Sequence, residues 1–100
     1  MRKFTFIADY KGGTYVSQYW AEDVIIARDL WAEGLPSKYF KKQERKLILR
    51  AIAENRDDDG YLPILINEVD SVWHDLIPVE EEYIDLNIVE TVETPHEGKY

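Results

Sequence analysis

Few residues in this chain could do chemistry. Histidine occurs only at His74 and His96, and there is no cysteine. A transition-metal centre wants several imidazoles or thiolates converging on one point, which this composition does not supply. A His–Asp catalytic pair also needs a nucleophile, and Ser17, Ser37 and Ser71 stand in no strained strand-to-helix turn. His74 lies beside Asp75 in an alternating stretch, so the two point to opposite faces of a strand. That assigns His74 a structural or surface role. His96 falls in a polar tail where nothing fixes a catalytic geometry.

Asn55, Asp57, Asp59 and Gly60 match the first, third, fifth and sixth places of a calcium loop that follows a helix. The twelfth place needs a bidentate glutamate and holds Ile66, while Pro63 opposes an exiting helix. The stretch therefore reads as a solvated helix stop. Glu80-Glu81-Glu82 beside Pro78 reads as a solvated hairpin tip, because acid–base work needs two carboxyls in different environments. Gly12-Gly13 lacks the lysine and helix of a phosphate cradle. These residues predict a non-enzyme with no cofactor and no metal.

The elements that carry them follow from periodicity. Phe4, Phe6, Ala8 and Tyr10 alternate with Lys3, Thr5, Ile7 and Asp9, a strand pattern closed by Gly12-Gly13. With those glycines as the loop, Tyr10 meets Tyr15, Ala8 meets Ser17, Phe6 meets Tyr19 and Phe4 meets Ala21. All of these fall on one aromatic face. The opposite face holds Thr5, Ile7, Asp9, Val16, Gln18 and Trp20.

Asp23 caps a helix over 24–33 with Val24, Ala27 and Trp31 on one stripe, and Gly34-Leu35-Pro36 ends it. Ser37 caps a second helix over about 39–54, basic in its first half; its apolar second half, 47–53, should be buried on more than one side. Residues 61–70 read as loop with room for a short strand at 64–66. A strand over 72–77 ends at Pro78 and pairs with another over 83–92, which has Ile84, Leu86 and Ile88 on one face. The expected architecture is α+β: a two-layer sandwich, a four-stranded antiparallel sheet in ββααββ order backed by two helices. One domain covers 1–93, and 94–100 is a flexible tail.

The chain has 100 residues, 45% hydrophobic and 32% charged, as a single soluble domain should. Its net charge of −8 is unevenly spread. Residues 1–56 carry 11 Lys/Arg against 7 acids, whereas 57–100 carry only Lys99 against 13 acids. Such a chain repels phosphate backbones, which disfavours nucleic acid as a partner. After Met1-Arg2-Lys3 the apolar stretch ends at Asp9, too short for a signal peptide or a membrane span.

The Phe4-x-Phe6 strand, the run Gly12-Gly13-Thr14-Tyr15-Val16-Ser17-Gln18, and the helix ending near Trp31 resemble a group of small bacterial proteins. Val72-Trp73 and Asn87-Ile88-Val89-Glu90-Thr91 are similar to the close of the same group. The resemblance covers both ends of the chain but not its middle. It implies a bacterial two-layer α+β domain and brings no activity with it. The topology also resembles hairpin-then-helix antitoxin domains.

Together these readings predict a non-catalytic, cytoplasmic protein-binding domain, in its narrowest version an immunity or antitoxin-type protein. Its partner would be a basic toxin or a second copy of itself, with no membrane involved. Ile7, Val16 and Trp20 form the apolar part of the expected surface. Asp57, Asp58, Asp59, Glu80, Glu81 and Glu82 line or rim it. The alternative is a nucleic-acid-binding or regulatory domain using the basic helix 38–50.

Overall fold

The computed structural model describes residues 1–54, 64–65 and 71–91, with backbone alone at 64–65. Asp57, Asp58, Asp59, the calcium-like stretch 55–60, His96 and the tail 94–100 lie outside the described residues.

Lys11 and Gly12 close the first hairpin. Their φ values of 48° and 79° place both central residues of a two-residue turn in the left-handed region, the geometry whose twist matches that of the flanking strands. Strands β1 (Arg2–Tyr10) and β2 (Gly13–Ala21) pair antiparallel in an unbroken register, Tyr10 opposite Gly13 and Arg2 opposite Ala21. The register expected from a Gly12-Gly13 loop is therefore off by two residues. An even shift leaves every side chain on its face, so Phe4, Phe6, Ala8 and Tyr10 still point into the core. Gly13 lies under the Tyr15 side chain instead: a Cβ there would stand 2.6 Å from the Tyr15 hydroxyl, which would have to move aside.

Helix α1 (Val24–Glu33) begins as its sequence predicts, with the Asp23 carboxylate accepting from the Ile26 N–H at 2.9 Å. It buries Ala27, Trp31 and Ala32, and with them Arg28. Helix α2 (Lys42–Glu54) starts later than expected. The Pro36 carbonyl accepts from the N–H groups of Tyr39 and Phe40, and that turn takes up the chain before the helix. The N-cap is thus Lys41 rather than Ser37: its carbonyl accepts from the Arg45 N–H, and its own N–H donates to Glu44. Ile48 and Ile52 are buried while Leu49 is exposed, so the apolar second half of α2 is covered on one side only.

Strands β3 (Ile64–Leu65), β4 (Val72–Val79) and β5 (Glu82–Thr91) complete a sheet in the order β2-β1-β5-β4-β3. The four long strands and two helices make the α+β arrangement in ββααββ order, with the two-residue β3 added at the far edge. Pro78 does not end β4 but lies within it, opposite Tyr83. In a hairpin closed by Glu80-Glu81, Val79 and Glu82 exchange the ladder bonds, so the N–H that proline lacks would have faced away from β5.

Both helices cover one sheet face. There Phe6 stacks on Trp31 with centroids 5.9 Å apart, Phe4 meets the Trp73 edge at 5.8 Å, and Ile84, Leu86 and Ile88 are fully buried. Among the described residues no helix is long and apolar enough to cross a membrane.

Candidate functional site

Among the described residues neither helix covers the other, open sheet face, and the register arranges it as a grid of rows running from β2 through β1 and β5 to β4. One row is Trp20, Lys3 and Thr91, and the next is Gln18, Thr5, Val89 and Val72. Then come Val16, Ile7, Asn87 and His74, followed by Thr14, Asp9, Asp85 and Leu76. Tyr83 and Pro78 close the grid beside the Glu80-Glu81 turn.

Large apolar side chains stand exposed on this grid: Val16 at 65%, Trp20 at 47%, Leu76 at 52% and Tyr83 at 62%. Ile7 is half-buried opposite Val16. Trp20 lies under the Lys3 ammonium, 5.6 Å from the ring centroid. A polar row separates it from Ile7 and Val16, because the Gln18 amide donates to Thr5 Oγ1 at 3.0 Å and Thr5 bonds Thr91 at 2.9 Å. Ile7, Val16 and Trp20 therefore share a face without forming one continuous patch.

The acids gather at the other end of the strands. Asp9 and Asp85 face each other across β1 and β5, an unfavourable like-charge pair. Each is offset by a neighbour: Thr14 Oγ1 donates to Asp9 at 2.6 Å, and His74 Nε2 lies 2.7 Å from Asp85 Oδ1. Glu80, Glu81 and Glu82 are all exposed just beyond. Residues 71–91 contain no lysine or arginine, so β4 and β5 bring carboxylates and the His74 imidazole, but no permanent cation, to this end of the face.

Two buried polar clusters had little or no signature in the sequence. Arg28 Nη1 meets Asp75 Oδ2 at 2.8 Å with both side chains almost fully buried, tying α1 to β4. The available signal was an arginine on the Val24–Ala27–Trp31 stripe, where a hydrophobic residue would be expected. The second cluster centres on Glu44, which accepts from the Tyr10 hydroxyl at 2.5 Å, the Lys41 N–H at 2.8 Å and the Lys11 ammonium at 3.1 Å. These donors, the Tyr10 hydroxyl foremost, hold the Glu44 carboxyl down at about 2. Burial, reinforced by the Glu44 bond, pushes the Tyr10 phenol up. An acid this strong has no proton to give near neutrality, and a phenol raised in this way has none to lose. The cluster fixes structure rather than moving protons.

A cavity of about 380 Å³ lies between β2 and the link from α1 to α2. Tyr15, Ser17 and Tyr19 line it from the strand, with Trp31, Leu35 and Tyr39 opposite. No charged side chain reaches it. Among the described residues no group of three or more His, Asp or Glu side chains could hold a metal ion. No protein-family model, curated protein or solved structure matches this chain.

Proposed function

We propose that the chain is a non-catalytic protein-binding domain of the bacterial cytosol, of immunity or antitoxin type, whose open sheet face masks a basic protein. One observation carries this reading. Among the described residues neither helix covers the second sheet face, Val16, Trp20, Leu76 and Tyr83 are exposed on it, and residues 71–91 bring it carboxylates but no lysine or arginine. Exposed apolar groups rimmed by charge are the ordinary make-up of an interface. Aromatic residues such as Trp20 and Tyr83 are suited to anchor it. Opposite charge on the partner would speed encounter and reject wrong partners.

The test is the association rate of a protein captured from the native host, measured against ionic strength. Replacing Glu80, Glu81 and Glu82 by Gln should slow association at low salt and flatten its salt dependence. An on-rate indifferent to both the replacements and the salt contradicts this reading.

A second reading has one observation in its favour. On α2, Lys42, Lys46 and Arg50 follow one another at four-residue spacing on an exposed side, and a groove of about 360 Å³ runs beside Lys46, Leu47 and Arg50. Arg50 Nε, however, lies 3.2 Å from Glu54 Oε1, which neutralises part of the stripe. Retention of random DNA or RNA at low salt, lost on replacing Lys42 and Lys46 by Ala, would favour a phosphate-binding helix. No retention dismisses it.

A further inference from the structure

The two long edges of the sheet are built differently. At the far edge β4 contains Pro78, which removes a donor, and part of its length is covered by β3. Those are the usual defences against edge-to-edge pairing. Strand β2 has none of them. Its sequence, GTYVSQYWA, contains no charge and no proline, in a chain that is 32% charged. It runs bulge-free for nine residues.

The hairpin fixes which backbone groups are left over. Tyr10 and Gly13 flank the turn and exchange ladder bonds, so by antiparallel alternation Tyr15, Ser17 and Tyr19 also bond to β1. The N–H and C=O groups of Thr14, Val16, Gln18 and Trp20 then point out of the sheet. Among the described residues no backbone group bonds to them across that edge.

We propose that this edge pairs with β2 of a second copy of the chain, antiparallel about a twofold axis through Ser17. That register overlaps the full strand, and it sets outward-pointing groups against outward-pointing groups. Thr14 lies opposite Trp20 of the partner subunit and Val16 opposite Gln18 of the partner subunit, each pair exchanging two backbone bonds. On the inner face, Tyr15 lies opposite Tyr19 of the partner subunit, at the cavity that both tyrosines already line.

Charge selects a second copy at this edge rather than elsewhere. Two chains of net charge −8 repel, and the strand order puts the acid-rich β5 and β4 away from β2. Docking through β2 keeps Glu80, Glu81, Glu82 and Asp85 of the two copies at opposite ends of one continuous ten-stranded sheet, five strands from each chain. The contact is isologous and closed, so it stops at a dimer. This inference is independent of the partner surface proposed above, because it uses the backbone edge rather than the open face.

The test begins with mass in solution. Sedimentation equilibrium should give twice 11.8 kDa as concentration rises. The double variant Val16→Lys with Gln18→Lys sets lysines opposite each other twice across the axis. It should weaken the dimer by roughly tenfold or more. Both side chains are exposed and the Gln18 bond to Thr5 is a surface one, so at concentrations where the wild type is monomeric the variant's thermal unfolding should lie close to it.

The register has its own probe, since the chain has no cysteine to confuse it. Residues at a non-hydrogen-bonded antiparallel pair have Cα atoms about 4.5 Å apart, within disulfide reach. Mild oxidation of a Ser17→Cys variant should therefore give a covalent dimer readily, and Gln18→Cys should lag behind it. A chain that stays monomeric at every concentration overturns the proposal. So does a dimer untouched by the lysine pair, or one that crosslinks equally through both cysteine variants. Growth beyond a dimer would mean head-to-tail edge pairing, and it overturns the proposal as well.

Discussion

Glu44 is held by three donors, the Tyr10 hydroxyl, the Lys41 N–H and the Lys11 ammonium, and its carboxyl is lowered from 4.5 to about 2. Because the folded value lies below the unfolded one, the unfolded chain binds the extra proton between them. This carboxylate therefore contributes its stability in full above pH 4.5, and the contribution fades as pH falls towards 2. A depression of that size corresponds to roughly 3 kcal/mol. Urea unfolding of a Glu44→Gln variant should show a loss of about 1–3 kcal/mol at neutral pH. The variant should also show a shallower fall in stability between pH 4.5 and 2 than the wild type. An unchanged slope would mean that the three bonds are not held in solution. Little in the sequence pointed to this cluster. Its capping spacing has lysine where serine or threonine is usual, and Tyr10 and Lys11 reach Glu44 only through the tertiary fold.

Arg28 and Asp75 belong to different elements, and their buried pair joins α1 to β4. Removing one partner strands a buried charge, so Arg28→Met or Asp75→Leu alone should cost about 3–5 kcal/mol. The double variant should recover most of that loss, which a double-mutant cycle of urea midpoints measures. Additive losses would show that the two side chains do not act as a pair. The elements themselves were readable where local chemistry is sufficient. Asp23 and Gly34 bracket α1, and the alternation of Ile84, Leu86 and Ile88 defines the buried face of β5. Sequence and structure part where two local signals compete. Gly12-Gly13 offers two possible turns, and the positive φ at Lys11 and Gly12 with Tyr10 opposite Gly13 places the turn one residue earlier than the glycine pair suggests. Proline's missing donor suggests a stop at Pro78, yet hairpin parity turns that vacancy outward. Ser37 offered a cap, but the Pro36 turn delays the helix to Lys42.

For the whole molecule, the sheet separates two tendencies. The helix-covered face holds the aromatic core, and the open face carries Val16, Trp20, Leu76 and Tyr83 between polar rows. The sequence showed which residues share the open face, because period-two alternation fixes that. It did not show that the row holding Gln18 and Thr5 divides Trp20 from Ile7 and Val16, because that depends on a register it placed two residues away. The expected hairpin of the last two strands already brings Leu76 and Tyr83 to the acids Asp85 and Glu80–Glu82, but that Asp9 lies opposite Asp85 needs the strand order. The most direct measurement of the functional account is the association rate of a host protein captured on the intact chain, followed across ionic strength for the wild type and for the Glu80, Glu81 and Glu82 to Gln triple variant. The account predicts a wild-type rate that falls steeply with salt, and a triple variant that starts slower and changes little. Identical, salt-independent rates for both chains would contradict it.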